Sequence, residues 1–350
     1  MAHYPMSPRH SRMLLTLILI MKMKSYSRAN LVLGYAVAAA AVALSLSNPF
    51  VMQLEGSHTD RDDLEQVEGS KTLDGENIMK KKEKLRKKKL KELAKLSCAQ
   101  FSNPSSDALT VAYVLQCFEL SESPVEFCNE NKLHLKTKEE MSKLRKQLLR
   151  LVFSQNINGG LDQEFSWTHG TLEDVESSWR ISSSKNILLQ QEEELLCQAT
   201  CAGWVDSVAK RVRPKPGSGD RKVNAVRYQA CMVKEDVFLH RRSLVADSAP
   251  EFLVYSELLH TKWPYMHGAT RVKSDWLIKY GQSLCSFSKS LEGSEYYNHC
   301  QTDQISRWAN PIFGPHRWEH PLHIVPVISG DEHYVPVFAC ALLEGRVLPC

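Results

Sequence analysis

Few residues of this chain have the types and spacing that nucleotide chemistry needs. A phosphate-binding loop ends in Gly-Lys-Ser/Thr and carries a second glycine five positions earlier. The nearest match, Gly69-Ser70-Lys71-Thr72, has one residue too many before the lysine and lacks the earlier glycine. Asp331-Glu332-His333-Tyr334 approaches the Mg²⁺-binding Asp-Glu-x-His box of ATP-driven motors, but its histidine comes one position early. The sequence therefore predicts no catalytic site for nucleotide hydrolysis in either segment.

Three closely spaced histidines, His316, His320 and His323, are the best candidate for a metal site. Pro315 and Pro321 disfavour the helix that would align them on one face. Packing against neighbouring apolar residues is the favoured interpretation, and zinc binding is the minor alternative.

The ten cysteines are spread from Cys98 to Cys350, in a chain of 350 residues that can fold without disulfides. The sequence contains no Cys-x-x-Cys and no Asn-x-Ser/Thr glycosylation site. We therefore expect a reducing compartment, with Cys197 and Cys201 as small buried residues one helical turn apart.

Two apolar stretches at residues 13–21 and 31–46 set the architecture of the N-terminal part. Both are shorter than the roughly 20 residues of a membrane-spanning helix, and Lys22, Lys24 and Arg28 interrupt them. They predict two buried core helices, with a secretory or membrane-targeting segment as the alternative.

Charge is strongly segregated in the segment that follows. Residues 55–76 hold eight acidic and two basic side chains, a net charge of −6, and residues 80–95 hold ten basic and two acidic ones, a net charge of +8. The basic run has a thin leucine stripe at helical spacing. It fits a solvated helical face, a phosphate-binding surface or a nuclear address. Its representative cations are Lys81, Lys84, Arg86, Lys88 and Lys91.

Helical signals dominate up to residue 213. Residues 103–107 open a helix, and a capping box at 137–140 opens a second helix that should pack on the first. Residues 161–184 are weakly periodic and predict a stretch rich in loops. A long helix is expected over 191–213, because acidic residues stand at its start, basic residues at its end, and Pro214 follows. Its predicted buried side consists of Leu195, Ala199, Ala202, Val205 and Ala209.

Beyond Pro214 the pattern changes to short β-strands. Runs rich in Val, Phe and Tyr occupy residues 223–232, 237–240, 252–259 and 269–272. A small barrel or sandwich would close them, followed by a proline-rich extension. The predicted fold class is therefore α+β, a helical bundle followed by a small β-barrel.

Five segments in the right order resemble the C-terminal half of DEAH-box RNA helicases. Residues 3–14 resemble the junction between the winged-helix and ratchet domains. Residues 106–111 resemble the start of a ratchet helix, with Ala108 in place of the usual histidine. Residues 196–210 resemble the helix that leads into an oligonucleotide-binding (OB) fold, and residues 237–243 and 255–277 resemble two segments of that fold. Arg241 and Arg242 replace a Pro-Ser pair, and His267 replaces a common arginine.

The resemblance implies three regions. Residues 1–15 would end a winged-helix domain, residues 16–195 would form the ratchet domain with a charged insertion at about 55–97, and residues 196–350 would form the OB-fold with its extension. It also implies that the chain lacks the Walker A, DEAH and arginine-finger motifs, because the motor domains are absent. The chain alone would hold no cofactor, whereas the full-length family binds ATP and Mg²⁺.

Residues 99–106 and 337–345 and the basic insertion most resemble the nucleolar branch that acts in small ribosomal subunit assembly. This implies ribosomal RNA processing in the nucleolus, with pre-ribosomal RNA, small nucleolar RNA and ribosome-assembly proteins as partners and no membrane. A non-enzymatic adaptor for protein partners is the alternative. The resemblance places candidate RNA-binding cations at Arg241, Arg242, Lys262, Arg271 and Lys273. For Trp263 and Tyr265, core packing is favoured over base stacking.

Overall fold

The computed structural model describes residues 7–23, 26–44, 100–157, 166–181, 188–213, 226–240, 243–260, 263–287, 297–298, 305–321 and 323–326. The chain forms two compact units. One comprises Met1–Ala199 and Arg242–Ser248, and the other comprises Thr200–Arg241 and Ala249–Cys350. Helices build the first unit and β-strands dominate the second, which confirms the predicted α+β class.

The first unit is built around one very apolar helix. Helices α1 (Pro8–Met23) and α2 (Ala29–Leu44) cover the two apolar stretches, and α2 packs against α1 and three later helices. Residues 31–41 of α2 are all buried, so this helix has no solvent face. The prediction of two buried core helices is confirmed. Among the described residues, none of the helices is long and apolar enough to span a membrane.

The helices around α2 follow in chain order. They are α3 (Asp107–Leu120), α4 (Pro124–Glu130), α5 (Leu135–Ile157) and α6 (Leu172–Trp179). The Ser106 side chain accepts a hydrogen bond from Leu109 N at 3.3 Å, so α3 begins where its sequence predicts. α3 and α5 pack on each other, as predicted.

One helix start in this unit was wrong, and one helix was not predicted. α5 begins at Leu135 rather than at Thr137, because the His134 ring accepts a hydrogen bond from Thr137 N at 3.3 Å and serves as the cap. The stretch 161–184, which was predicted to be rich in loops, contains α6, whose Thr171 and Asp174 form a capping box. Only eight residues long, α6 is too short to give a periodic signal in the sequence.

The predicted long helix over 191–213 was also wrong at its end. Helix α7 (Gln190–Gly203) stops ten residues early, and Lys210 and Arg211 lie in strand β1 (Val208–Arg211). The basic residues therefore do not complement a helix dipole. Ala209 is buried, as predicted, but inside a sheet.

The second unit is built on a seven-segment sheet. Its strands are β1, β2 (Arg227–Ala230), β3 (Asp236–Leu239), β4 (Phe252–Val254), β5 (Glu257–His260), β6 (Pro264–His267) and β7 (Thr270–Val272). The hydrogen-bonded order is β5-β6-β3-β2-β1-β4-β7, and only β3 and β6 pair in parallel.

β4–β5 and β6–β7 are the two arms of one long hairpin. Phe252 pairs with Val272 at one end and His260 with Pro264 at the other. One arm pairs with β1 and the other with β3. Together with β1, β2 and β3, the two arms therefore form a closed barrel of five strands. Gly268 interrupts the hairpin with a φ of +65°. A five-stranded closed barrel of mixed pairing is the architecture of an OB-fold.

Smaller elements follow the barrel. Helix α8 (Ser274–Tyr280) leads to a three-stranded sheet of β8 (Cys285–Phe287), β11 (Pro311–Phe313) and β12 (Trp318–Glu319). A second such sheet comprises β9 (Tyr297–Asn298), β10 (Ile305–Ala309) and β13 (His323–Pro326). The two segments that approach nucleotide-binding motifs, at 69–72 and 331–334, lie outside the described residues.

One part of the helical unit comes from much later in the chain. Residues 243–248, between β3 and β4, pack at the beginning of α3. The Asp107 carboxylate accepts a hydrogen bond from Leu244 N at 2.9 Å, and Ser248 Oγ donates to Pro104 O at 3.4 Å.

Candidate nucleic-acid interface

An aromatic surface lies on the outside of the barrel where β3 meets β6. Along β6, buried Pro264 and Met266 alternate with half-buried Tyr265 and His267. Phe238 of β3 is the register partner of Tyr265, and the two ring centroids are 6.2 Å apart. Because side chains alternate across a strand, these outward rings share one face of the sheet.

Two histidines extend this surface along the strands. The His240 ring lies 6.1 Å from the Tyr265 ring and 5.5 Å from the His267 ring. The backbone N–H of His240 donates to Met266 O at 3.1 Å, which anchors the end of β3 to β6. The imidazoles add ring nitrogens that can donate or accept hydrogen bonds.

Trp263, at the start of the second hairpin arm, completes the group of rings. Its ring centroid is 5.7 Å from that of Phe238, and the residue is 49% exposed. The prediction of core packing was therefore wrong for Trp263, because only part of the indole is covered by Phe238. Tyr265 is half-buried, so its burial is compatible with core packing and with base stacking. We call Phe238, His240, Trp263, Tyr265 and His267 the aromatic face.

One described ion pair lies on the strands beside the aromatic face. Arg227 of β2 and Asp236 of β3 form an ion pair at 3.6 Å, and both are partly exposed. Gln229, the register partner of Asp236, accepts a hydrogen bond from the Trp318 indole at 3.0 Å. The described residues of the face can therefore make ring contacts and hydrogen bonds.

The structure describes two of the five predicted RNA-binding cations of the barrel. Arg271 is exposed on β7, in register with Leu253. Lys273 is exposed just before α8, with its Nζ 5.5 Å from the centre of the Trp276 ring. Arg271 lies beyond the Gly268 interruption, on the arm that also carries Tyr265, and Lys273 directly follows this arm. The remaining candidates lie outside the described residues, namely Arg241, Arg242, Lys262, Lys81, Lys84, Arg86, Lys88 and Lys91.

The histidines proposed as minor metal candidates have packing roles where they are described. His316 Nε2 lies 3.0 Å from the carbonyl oxygens of Ala230 and Val233. The His320 ring stacks on Phe252, with centroids 5.3 Å apart. Across the described part of the chain, three or more potential metal ligands do not cluster anywhere.

Burial favours the neutral forms of one tyrosine and two cysteines of the second unit. Burial raises the pKa of Tyr228 to about 12, and its hydroxyl donates to Pro250 O at 2.9 Å. Burial also raises the pKa of the Cys231 and Cys285 thiols to about 11, with the neighbouring charges of Asp206 and Cys231 adding to the shift. A thiol with so high a pKa is a poor nucleophile at neutral pH.

Comparison with protein families gives a match within each unit. A helicase associated domain (HA2), ratchet-like, matches residues 7–111, and an oligonucleotide/oligosaccharide-binding (OB)-fold matches residues 196–284. The chain is 54% identical over 353 residues to the ATP-dependent RNA helicase DEAH13 of Arabidopsis thaliana. The chain matches the C-terminal part of DEAH-box RNA helicases.

The chain is also similar, at lower identity, to other RNA helicases. The chain is 24% identical over 299 residues to the probable ATP-dependent RNA helicase DHX37 of Homo sapiens, covering 85% of this chain. It is also 24% identical over 197 residues to the pre-mRNA-splicing factor ATP-dependent RNA helicase prp22 of Schizosaccharomyces pombe, covering 56% of this chain and 14% of that protein. The match spans 27% of DEAH13 and 24% of DHX37, about a quarter of each relative.

Proposed function

We propose that this chain binds single-stranded RNA through its OB-fold domain and serves as the RNA-channel and regulatory portion of a DEAH-box helicase. The observation that carries this proposal is the closed five-stranded barrel, in which β2 pairs with β3 and β3 pairs with β6 of the long hairpin. In OB-folds, the face of the second and third strands and the adjoining hairpin loop bind oligonucleotides. The aromatic face lies on and beside β3, the third strand, and the neighbouring strand β6, which supports this assignment.

The binding should combine ring contacts with phosphate contacts. Aromatic side chains stack on bases, and cations along a groove contact the phosphates. Arg271 and Lys273 are the described cations that we assign to the phosphates, because both are exposed near the end of the second hairpin arm. Arg241, Arg242 and Lys262 are assigned the same role from the sequence resemblance.

A labelled single-stranded oligoribonucleotide tests this function by fluorescence anisotropy at several salt concentrations. The logarithm of the affinity should fall linearly with the logarithm of the salt concentration, by about 0.7 per phosphate contact. The double variant Arg271→Ala/Lys273→Ala should lower the slope by roughly 1.4. Exposed Lys136→Ala and Lys143→Ala on α5 form the matched control. Binding that is absent at low salt would refute the proposal.

We also propose that the chain alone binds neither ATP nor Mg²⁺ and hydrolyses no ATP. The support is the lack of a Gly-Lys-Ser/Thr loop in the sequence, where Gly69-Ser70-Lys71-Thr72 is the nearest match. Phosphate release should stay at background with and without RNA. RNA-stimulated turnover that disappears in Lys71→Ala would contradict this assignment.

For the cellular role, we propose ribosomal RNA processing in the nucleolus, with pre-ribosomal and small nucleolar RNA and ribosome-assembly proteins as partners. The support is the resemblance of residues 99–106 and 337–345 to the nucleolar branch of the family. Crosslinking in cells should recover these RNAs. Recovery of spliceosomal RNA would favour a splicing role, and recovery of proteins without RNA would favour the non-enzymatic adaptor.

A further inference from the structure

Strand β5 is an open edge of the seven-segment sheet within the described part of the chain. It stands at the end of the hydrogen-bonded order, next to β6 alone. The arm that carries it bonds to the β1 side only as far as Tyr255, whose N–H donates to Ser207 O at 3.0 Å. Ser207 lies in the turn between α7 and β1, where its own N–H donates to Trp204 O at 2.9 Å. No described strand therefore continues beside the outer side of β5.

The hydrogen bonds of β6 decide which of its residues point toward β5. The Met266 carbonyl accepts a hydrogen bond from His240 N at 3.1 Å, so the backbone groups of Met266 point toward β3. Backbone groups of successive residues alternate between the two sides of a strand, so those of Tyr265 and His267 point toward β5. Consistent with this, Ser256 N donates to His267 O at 3.0 Å.

The register of β5 with β6 carries this alternation over to the edge strand. Glu257 and Leu259 are the register partners of the two β6 residues that point toward β5, so their backbone groups face β6. The N–H and C=O of Leu258 and His260 point to the open side. Within the described residues, these four groups have no hydrogen-bond partner.

The strand also lacks the residues that commonly protect an edge from pairing. Lysine and proline are the usual protective residues. β5 contains neither, and the next lysine, Lys262, comes after its end. Leu258 and Leu259 are half-buried, and because neighbouring side chains alternate, each lies on a different face of the sheet. Unpaired backbone groups beside partly exposed leucines form a template for a further strand.

The pattern of groups on this edge fits a peptide backbone. Donors and acceptors alternate, and the two outward residues are about 6.8 Å apart, which is the two-residue repeat of an extended chain. The phosphate groups of RNA only accept hydrogen bonds and would leave the two outward carbonyl oxygens without donors. A second copy of this chain would bury far less through four residues than the roughly 1,000 Å² of a stable interface. A linear segment of another protein, which binds transiently through the strand alone, fits the edge best.

We propose that β5 is a docking edge for an extended segment of a partner protein. The segment adds a strand to the sheet through main-chain hydrogen bonds to Leu258 and His260. Its apolar side chains would contact Leu258 on one face of the sheet or Leu259 on the other. This docking does not depend on RNA binding.

Hydrogen exchange resolved to single amides tests the edge in the full chain. The probe is a capped peptide of alternating valine and threonine residues, which favour an extended backbone. In the free chain, the amides of Leu258 and His260 should exchange readily, whereas pairing with β6 should protect those of Glu257 and Leu259. With the peptide at about ten times its Kd, exchange at Leu258 and His260 should slow roughly 10-fold, because only the unbound molecules exchange.

Two substitutions of one residue separate the backbone from the side chain. His260→Pro removes one outward N–H and should weaken peptide binding roughly 2- to 10-fold, the loss of one hydrogen bond. His260→Ala removes the same imidazole but keeps the N–H, so it should bind the peptide as the wild type does. Thermal unfolding checks that both variants are folded.

Several outcomes would overturn the docking edge. Protection of Leu258 and His260 in the free chain would show that another part of the chain covers β5, and protection that grows with chain concentration would assign the edge to a second copy. Exchange that soluble peptide leaves unchanged, or equal weakening in His260→Pro and His260→Ala, would also contradict the proposal. The experiment contains no RNA, so failure of the proposed RNA-binding function would leave these outcomes unaffected.

Discussion

Arg145 is an ionised side chain that is completely removed from water in the helical unit. Its guanidinium forms a bidentate pair with Glu119, at 2.8 and 3.2 Å, and contacts both carboxylate oxygens of Glu176 at 3.1 Å. Its Cζ also lies 4.9 Å from the centre of the Trp179 ring. Burial by itself lowers the pKa of Arg145, but the hydrogen bonds and charges of Glu176 and Glu119 raise it above its ordinary value. The cluster thus joins α3, α5 and α6 through one cation.

Replacing Arg145 with Met should destabilise the protein by about 3–5 kcal/mol, because two carboxylates would be left in the core without their cation. Urea unfolding measures this loss. Lys146→Met, at the exposed neighbouring position, is the matched control and should change stability by less than about 0.5 kcal/mol. A similar effect of both variants would show that the buried cluster contributes little.

His10 gives the helical unit a dependence on pH. Burial, together with a smaller effect of the charge of Arg9, lowers the pKa of His10 to about 4. The unfolded chain therefore binds more protons than the folded one between pH 6.5 and 4, and stability falls as the pH falls through this window. Between pH 7 and 5 the loss should be about 2 kcal/mol.

Urea unfolding at pH 7 and pH 5 measures this dependence. His10→Gln should reduce it, because glutamine does not titrate in this range. His260→Gln, which removes an exposed histidine, controls for the loss of an imidazole. An unchanged pH dependence in His10→Gln would assign the effect to other groups.

At the scale of elements, the long hairpin depends on Gly268. Its φ of +65° lies in the left-handed region, and a Cβ atom there would stand 2.1 Å from Ser256 Oγ. Gly268→Ala should therefore destabilise the barrel by more than the roughly 1–2 kcal/mol that the backbone conformation alone costs. Gly268→Ala should lower the free energy of unfolding less in a Ser256→Ala background than in the wild type. If the two substitutions are additive in the free energy of unfolding, the steric contact with Ser256 is relieved elsewhere.

Elements with strong local signals were predictable from the sequence, and elements set by tertiary contacts were not. Ser106 marks the beginning of α3 through its own hydrogen bond, and the apolar runs of α1 and α2 admit few alternatives to burial. By contrast, α7 ends at Gly203 because Val208 and Ala209 pair within the sheet. The side chains of these two residues would also be compatible with a helix, so the sequence did not indicate this end. The charge pattern up to Arg213 resembled a helix end but belongs to a strand.

The candidate site was predictable only in part for a related reason. Lys and Arg residues can be found in a sequence, so Arg271 and Lys273 were named as candidates. Trp263 and Phe238 are 25 positions apart in the chain, and the parallel pairing of β3 with β6 brings them together. A Trp-Pro pair between two strand runs was the available signal, because a hairpin tip places such residues at the surface.

At the scale of the whole molecule, the basic run at residues 80–95 has a net charge of +8, which exceeds the net charge of +4 of the entire chain. If the basic run contacts RNA, replacing Lys81, Lys84, Arg86, Lys88 and Lys91 with Gln should lower the salt slope of RNA binding by up to about 3.5. Replacing five acidic residues of 55–76 with Gln or Asn should leave the slope unchanged or increase it. An unchanged slope in the first variant would assign the run to a solvated face or a nuclear address.

The contact between Leu244 and Asp107 also has a consequence for synthesis on the ribosome. The residues that meet at the beginning of α3 are 137 positions apart in the chain. The helical unit can begin to fold when α7 emerges, but it reaches its final packing only after residue 248 has been translated. Nascent chains arrested before this point should expose the start of α3 to proteolysis, and chains arrested well beyond it should protect that site.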